Sequence, residues 1–541
     1  MRFSTLYLSL VIMTLIFAGG ACFADELIVE PNQGFVNEII NSDTTATGER
    51  TDPNRVYVLR RDAQYYYNGR VVNLGWKLAM AAEQGQGSRP LVTPFPDENG
   101  EIPSRFINAS GDLELTGLSF DGAYEDYLFP DYFCVGYATD CNFIIDDCCF
   151  CNTAQGVFRL SKGAKTMKVT NSLMLNMGNV GQQNMGNGRF ADMRDASYDT
   201  LIVRNTTMIN NYDRIFRHRG GSGVFKYGVI DHCTIIDNLA YHGMFELGNT
   251  GDYFQLTNTL FINPMIMGND PTDSERLTEF DAHGETNADG IPIMYWIANI
   301  PNDSTEFQIH HNYFSYSPEL ESFFESQANI DPAAPVSDHI KSRLDDPDNA
   351  FIQEAITLKN RTDFGKILEL LNWYFSSEGA NKSKVTTDAF DYDRASLAFF
   401  TNDLDCSYDT SLGAYTGAEK QLPVGDLNWF PEKFDEWITE VKDTRAAVAD
   451  NYSLLQNYPN PFNPSTTIHF SLQSPAKVSL VVYNTLGKEV RTLWAGKKQS
   501  GSHSVHWDGR NDKGQSVAGG VYFYRLMSDE VMMTKKMVLL K

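Results

Sequence analysis

An eight-residue pattern recurs seven times in this 541-residue chain and limits what it can fold into. The segments are LTGLSFDG from Leu115, IDDCCFCN from Ile145, VTNSLMLN from Val169, VRNTTMIN from Val203, IDHCTIID from Ile230, LTNTLFIN from Leu256 and IHHNYFSY from Ile309. Each is apolar at offsets 0 and 5. Offsets 2 and 7 carry Asn, Asp, His or Gly, and only Tyr316 breaks the second polar column. Successive starts lie 30, 24, 34, 27, 26 and 53 residues apart, so the last gap reads as two turns. Units this short cannot bury a core alone and must stack on their neighbours. Helical repeats would show apolar residues at i, i+3 and i+4, which these segments lack. The β-branched and aromatic residues suit short strands. Asn171, Asn205 and Asn258 suit a sharp corner, because Asn tolerates left-handed backbone; the three are predicted to stack there as a buried amide ladder.

The pattern predicts an all-β chain: a parallel β-helix, then a partly helical connector, then a small C-terminal antiparallel β-sandwich. Over roughly residues 50–320 the segments resemble right-handed, pectate-lyase-like β-helix proteins, with NRVYVLRRDAQYYYNG at 54–69 similar to the first coil that such proteins place beneath their stack. The expected divisions are 1–24, 25–320, 321–451 and 452–541. In the connector, Phe430, Phe434, Trp437, Ile438 and Val441 recur at helical spacing and predict a helix packed on the side or end of the stack. GDLNWFP at 425–431 is similar to a closing segment of β-helix proteins in type IX-exporting bacteria.

The chain begins MRFSTLYLSLVIMTLIFAGGACFADE, with Arg2, an apolar run from Leu6 to Ala18 and small residues ending at Ala21 or Ala24. This reads as a secretory signal over 1–24; Gly19-Gly20-Ala21 lacks the aliphatic residue of a lipidation site at Cys22. No later run approaches the roughly 18 apolar residues of a membrane helix. At the other end, NPFNPST, YNTLGKEV, the Trp507-Asp508-Gly509 turn, GGVYFYRL and a Lys-rich final strand resemble the type A C-terminal sorting domain of type IX (Por) secretion. That resemblance implies export through the periplasm to the outer surface or medium, with the type IX machinery as partner of 452–541. The alternative is an immunoglobulin-like domain that stays on the mature protein.

Seven cysteines follow Cys22, at 134, 141, 148, 149, 151, 233 and 406. An oxidising compartment predicts one or two disulfides, such as Cys134 to Cys141. The Cys148-Cys149-Phe150-Cys151 group lacks the second pair of a zinc site.

A formal charge of −25 argues against nucleic acid as a partner. Residues 155–230 are an exception, with eleven Lys and Arg against four Asp: +7 there and −32 elsewhere. Short strands VFRL (157–160), FADMR (190–194), IFRHR (215–219), MFEL (244–247) and EFDAH (279–283) precede the repeat units. Stacked about 4.8 Å apart, they align Arg159, Asp192 or Arg194, Arg217, Glu246 and Asp281 in an outward column.

In the lyases that the repeat resembles, such a face carries the site. A basic residue removes the proton beside a uronate carboxylate, while calcium or arginine neutralises the charge that develops. The resemblance implies Arg217, Arg219 or Lys226 as base or clamp and His218 as a second group for proton transfer. It implies Arg159, Arg194 and Arg214 as substrate contacts, with Glu246 and Asp281 as calcium ligands. The expected partner is an acidic polysaccharide, cleaved by elimination or hydrolysis. Against this, an arginine base conflicts with a pKa above about 12, and stacked Arg and Glu can simply pair with one another. Asp146-Asp147 is not followed by the GHG and RIK elements of polygalacturonases. The competing reading is a non-catalytic carbohydrate-binding, adhesion or structural surface protein.

Overall fold

A computed structural model describes residues 26–541 except 125–127, 179–184, 281–284, 301, 363, 377–403, 435, 438–452 and short stretches of the C-terminal domain (455–456, 458–461, 463, 473–474, 485–487, 499–500, 529–531 and 540–541). The expected signal segment lies outside the described residues.

The chain is all-β, and its body is a parallel β-helix. Each rung passes through three sheets in turn. The first sheet has ten parallel strands, from Glu26–Val29 to Glu306–His310. The second also has ten, from Gln64–Tyr67 to Phe351–Gln353. The third has nine, from Val71–Asn73 to Ala334–Val336. Parallel pairing therefore runs on to Gln353, and the segment after 320 supplies the last strands.

The repeat sets the register. Leu115, Ile145, Val169, Val203, Ile230, Leu256 and Ile309 pair in series along the first sheet. Phe120, Phe150, Met174, Met208, Ile235, Phe261 and Phe314 do so along the second. Leu256 and Ile309 are direct partners, so the 53-residue gap is one rung with a long insertion and not two turns. That insertion holds the helix Ser274–Phe280, which includes Glu279 and Phe280 of the expected EFDAH strand; 281–283 lie outside the described residues. The third sheet's next strand is instead Tyr295–Asn299. Spacing alone could not separate an insertion from an extra rung.

The interior fills with stacked side chains because every rung places the same offsets inward. A chain of phenylalanines runs from Phe106 through Phe120, Phe133, Phe150, Phe158, Phe190 and Phe216 to Phe245, with consecutive centroids 4.1–6.0 Å apart. Such contacts are worth about 0.5–1.5 kcal/mol each beyond area burial. At the amino-terminal end, the helix Val36–Ser42 buries Val36 and Ile40 in the same core.

Offset 2 is a corner in left-handed backbone throughout: Gly117, Asp147, Asn171, Asn205, His232, Asn258 and His311 all have φ between 44° and 71°. The three asparagines do share it. They form no amide ladder, however: Asn171 and Asn258 donate instead to Asp146 and Asp231 of the preceding rung, each at 2.8 Å. The ladder stands at offset 7, where Asn176 donates to Asn152 at 3.2 Å and Asn210 to Asn176 at 3.1 Å. Before Asn171 and Asn258 the preceding rung presents a carboxylate, a stronger acceptor than an amide, whereas before Asn205 it presents Thr170 and the Asn205 side chain makes no hydrogen bond among the described residues.

All seven described cysteines are buried free thiols, so the expected Cys134–Cys141 bridge is not formed. Cys134 packs inside the stack, where burial pushes its thiol well up. Cys148 also faces the interior, whereas Cys149 and Cys151 face outward, which divides the expected cluster between two faces.

The second sheet is apolar on both faces, as a sheet covered on both sides must be. Leu175, Ile209, Ile236 and Leu260 on its outer face meet Tyr408, Val424, Leu427 and Phe430 of the connector. GDLNWFP docks by polar contacts as well. Thr207 Oγ1 donates to Asp426 Oδ2 at 2.7 Å, Trp429 Nε1 donates to Thr207 Oγ1 at 2.8 Å, and Asp426 N donates to Thr234 Oγ1 at 2.8 Å. Residues 431–434 and 436–437 are helical, and Phe434 and Trp437 pack on this layer as the spacing predicts. Ile438 and Val441 lie outside the described residues. Two further helices cover another flank. Pro318–Ser326 is capped by Ser317 and buries Leu320, Phe323 and Phe324, and Gly365–Tyr374 buries Ile367, Leu370, Leu371 and Tyr374.

The C-terminal domain is a small antiparallel sandwich. A three-stranded sheet centred on Thr466–Leu472 faces a four-stranded one centred on Ala476–Asn484 and Gly520–Met527. Trp507, Phe470, Leu480 and Tyr524 fill the space between.

Candidate functional site

The third sheet aligns four of the expected column residues. Arg159 pairs with Asp192, Asp192 with Arg217, and Arg217 with Glu246; the next partner is Ala298. Asp192 and not Arg194 holds the register position, because the ladder shifts by one residue and sets Arg194 opposite His218. Phe158, Ala191, Phe216 and Phe245 point inward at the alternate positions, so the charges lie on the outer face.

These charges form one network. Asp192, with no exposed surface, lies 3.3–3.9 Å from Arg159, Arg189, Arg194 and Arg217. Asp213, equally buried, is 3.0 Å from both Arg189 and Arg214. Glu246 Oε2 is 2.6 Å from Arg214 Nε and 3.8 Å from Arg217 Nε. Among the described residues, five guanidinium groups thus share three carboxylates, a surplus of two positive charges within this set. Arg189 and Arg214 are buried, whereas the Arg159 and Arg194 side chains are 30% and 27% exposed and form the rim. Tyr132 Oη accepts from Arg159 Nη1 at 3.1 Å and lies under its guanidinium.

The surplus shifts the titrating groups. Burial, reinforced by Arg189 and Arg214, lowers Arg217 to about 10 against the opposing pull of Asp192 and Glu246. It therefore stays charged at neutral pH and has no lone pair with which to take a proton. Burial disfavours an ionised Asp213, but Arg214, His242 and Arg189 together hold its carboxyl well below the usual range.

The other expected residues lie elsewhere. His218 is 1% exposed; its Nε2 is 2.8 Å from the Ala196 carbonyl, and Tyr198 and Phe225 flank its ring. Burial pulls it below the usual imidazole range. Strand alternation turns it away from the face that Arg217 occupies, so it cannot transfer a proton there. Arg219 is exposed and pairs with Asp195 at 2.9 Å. Lys226 is on the first sheet, paired with Asp199. Neither joins the network. Glu246 does not suit calcium, since two guanidinium groups already hold it and repel a dication. Asp281 lies outside the described residues.

Sequence reasoning passed over Asp213 and His242. His242 Nδ1 is 2.9 Å from Asp213 Oδ1 and 3.0 Å from Arg214 Nη1. With its proton given to Asp213, Nδ1 has no lone pair to accept from Arg214, and the carboxylate orients the ring. Both residues sit in connections beside strands of the third sheet, where no periodicity marks them.

Comparisons with known proteins bear on two regions. Residues 461–529 match the FlgD Ig-like domain. No curated protein matches the chain. Among solved structures, dimeric latent PorU from Porphyromonas gingivalis is 21% identical over 17% of this chain and 10% of its own, with a TM-score of 0.15. PorZ, a surface component of the type IX secretion system of the same organism, is 25% identical over 17% of this chain and 12% of its own, with a TM-score of 0.13. The PL6 family alginate lyase AlyGC is 13% identical over 54% of this chain and 40% of its own, with a TM-score of 0.30. The chain thus spans less than half the length of each. Among the described residues, no helix is long and apolar enough to cross a membrane.

Proposed function

We propose that this protein is exported to the cell surface or medium and holds an acidic polysaccharide against the outer face of its third sheet. The carrying observation is the network with five guanidinium groups for three carboxylates on a chain of net charge −25. A uronate carboxylate at the rim would meet the partly exposed Arg159 and Arg194, with Arg217 beneath. Calcium has no part in this reading.

The test is binding to pectate, alginate and glycosaminoglycans, with and without calcium. Arg217→Ala should weaken binding about 10- to 150-fold, the equivalent of about 1.5–3 kcal/mol for a charge-assisted contact. Arg217→Lys keeps the charge but loses the planar fork, and should also weaken it. No binding to any acidic glycan, or an Arg217→Ala variant equal to wild type in affinity and thermal midpoint, rejects the reading.

The Asp213–His242 pair favours a second reading, in which the face also cleaves its ligand by elimination. His242 would then remove the proton beside the carboxylate, and the arginines would stabilise the charge that develops. Release of unsaturated uronate ends by wild type, and its loss in His242→Gln with binding retained, separates cleavage from binding.

Residues 452–541 serve, in this proposal, as a type IX export address; the NPFNPST to GGVYFYRL series supports it. Without 452–541 the chain should accumulate in the periplasm. Normal export of the truncated chain rejects the assignment.

A further inference from the structure

At the last full corner of the stack two histidines stand side by side. Where earlier rungs carry Thr170-Asn171 and Thr257-Asn258, this one carries His310-His311, with Thr257 and His310 paired directly across the sheet. His311 takes the left-handed corner conformation, φ 55°, that Asn holds elsewhere. The two imidazoles stand nearly perpendicular, their Nδ1 atoms 2.7 Å apart. Two nitrogens this close cannot both carry protons.

The connector brings a third donor to the same place. The backbone N–H of Glu419 donates to Asn258 Oδ1 at 2.9 Å, one rung earlier, and its Oε1 lies 4.0 Å from His310 Nε2. One donor atom from each of His310, His311 and Glu419 falls within 4.8 Å of the other two. Tetrahedral bonds of about 2.0–2.1 Å need ligand atoms about 3.4 Å apart, so modest side-chain rotation completes the set.

From this geometry we infer that His310, His311 and Glu419 form a binding site for a divalent transition metal of the zinc class. Two imidazoles and one carboxylate suit zinc, cobalt, nickel or copper, and not calcium, which takes oxygen ligands. The Glu419 side chain is about half exposed, and a cavity of about 450 Å³ lined by His310, His311, Tyr313 and Asp346 adjoins the corner. Three protein ligands then leave one position open to water. The metal ties the final rung to the connector, two segments more than a hundred residues apart in sequence.

The experiment uses the tag-free full chain, stripped with EDTA and titrated with zinc chloride by calorimetry and with cobalt(II) by visible absorption. His310→Thr and His311→Asn are the informative variants, since they install residues that the same corner already carries in other rungs and so preserve the fold. Wild type should bind one equivalent, show the intense visible bands of tetrahedral cobalt and gain thermal stability with zinc. Each variant, and Glu419→Gln, should lose about tenfold or more in affinity. Zinc should also shield His310 and His311 of wild type from diethyl pyrocarbonate, a readout that needs no variant. Substoichiometric binding by wild type, undiminished binding by the double variant His310→Thr/His311→Asn, or displacement of zinc by equimolar calcium overturns the assignment.

Discussion

Asp213→Asn should destabilise the β-helix by about 3–5 kcal/mol at neutral pH, the cost of leaving buried charge uncompensated. Arg189 and Arg214 have side chains only 5% and 1% exposed, and both lose their shared carboxylate. Asparagine keeps the shape but turns an N–H₂ group or a weak acceptor towards two guanidinium groups. The same linkage fixes the pH dependence. The folded-state carboxyl of Asp213 is held well below its unfolded value, so its contribution is complete above the ordinary carboxylate range and is lost as pH falls below it. Denaturant unfolding of wild type and variant should differ most at neutral pH and converge in strong acid. A difference under about 1 kcal/mol at pH 7 would mean that the network is solvated enough to tolerate the loss.

Asp426→Asn should do the opposite, stabilising the protein at neutral pH by up to about 3 kcal/mol. Asp426 is buried where the connector docks, and desolvation raises its carboxyl to about 6, although Thr207 and Asn428 donate to it. With a folded pKa above the unfolded one, the native state holds the proton more tightly. Its stability is greatest at low pH and falls as pH rises from about 4 to about 6. Asparagine accepts the bond from the Asn428 backbone N–H, donates to Thr207 and carries no charge to desolvate. The gain should be full above pH 6 and vanish below pH 4. Equal stability of the two proteins at pH 7.5 would show that water reaches Asp426.

The architecture was legible because a β-helix writes its register into the sequence. Offsets 0, 2, 5 and 7 became two interior columns and two left-handed corners, and strand spacing aligned Arg159, Arg217 and Glu246 while leaving Asp192 and Arg194 as alternatives. Burial was not legible. Outward residues of a sheet are expected to be solvated, yet Asp192 and Glu246 are enclosed by the arginines that they pair with. His218 was misplaced for a related reason: a run rich in arginine invites reading as one patch, while alternation sends its members to opposite faces. Asp213 and His242 meet through loops, whose paths no period specifies. The docking of Asp426 on Thr207, more than two hundred residues away, leaves no local trace either.

The charged network has a mechanical consequence. In a solenoid each rung touches only its neighbours, so the stack can unzip from either end at a cost that adds rung by rung. Here Tyr132, Arg159, Asp192, Arg217 and Glu246 come from five successive strands of the third sheet; Asp192 meets arginines of three rungs, Asp213 arginines of two, and Glu246 the two arginines of the rung before it. Peeling away one rung strands charge on the next. Independent steps become a single larger one, and the middle of the stack acts as a clutch at which fraying from both ends stops.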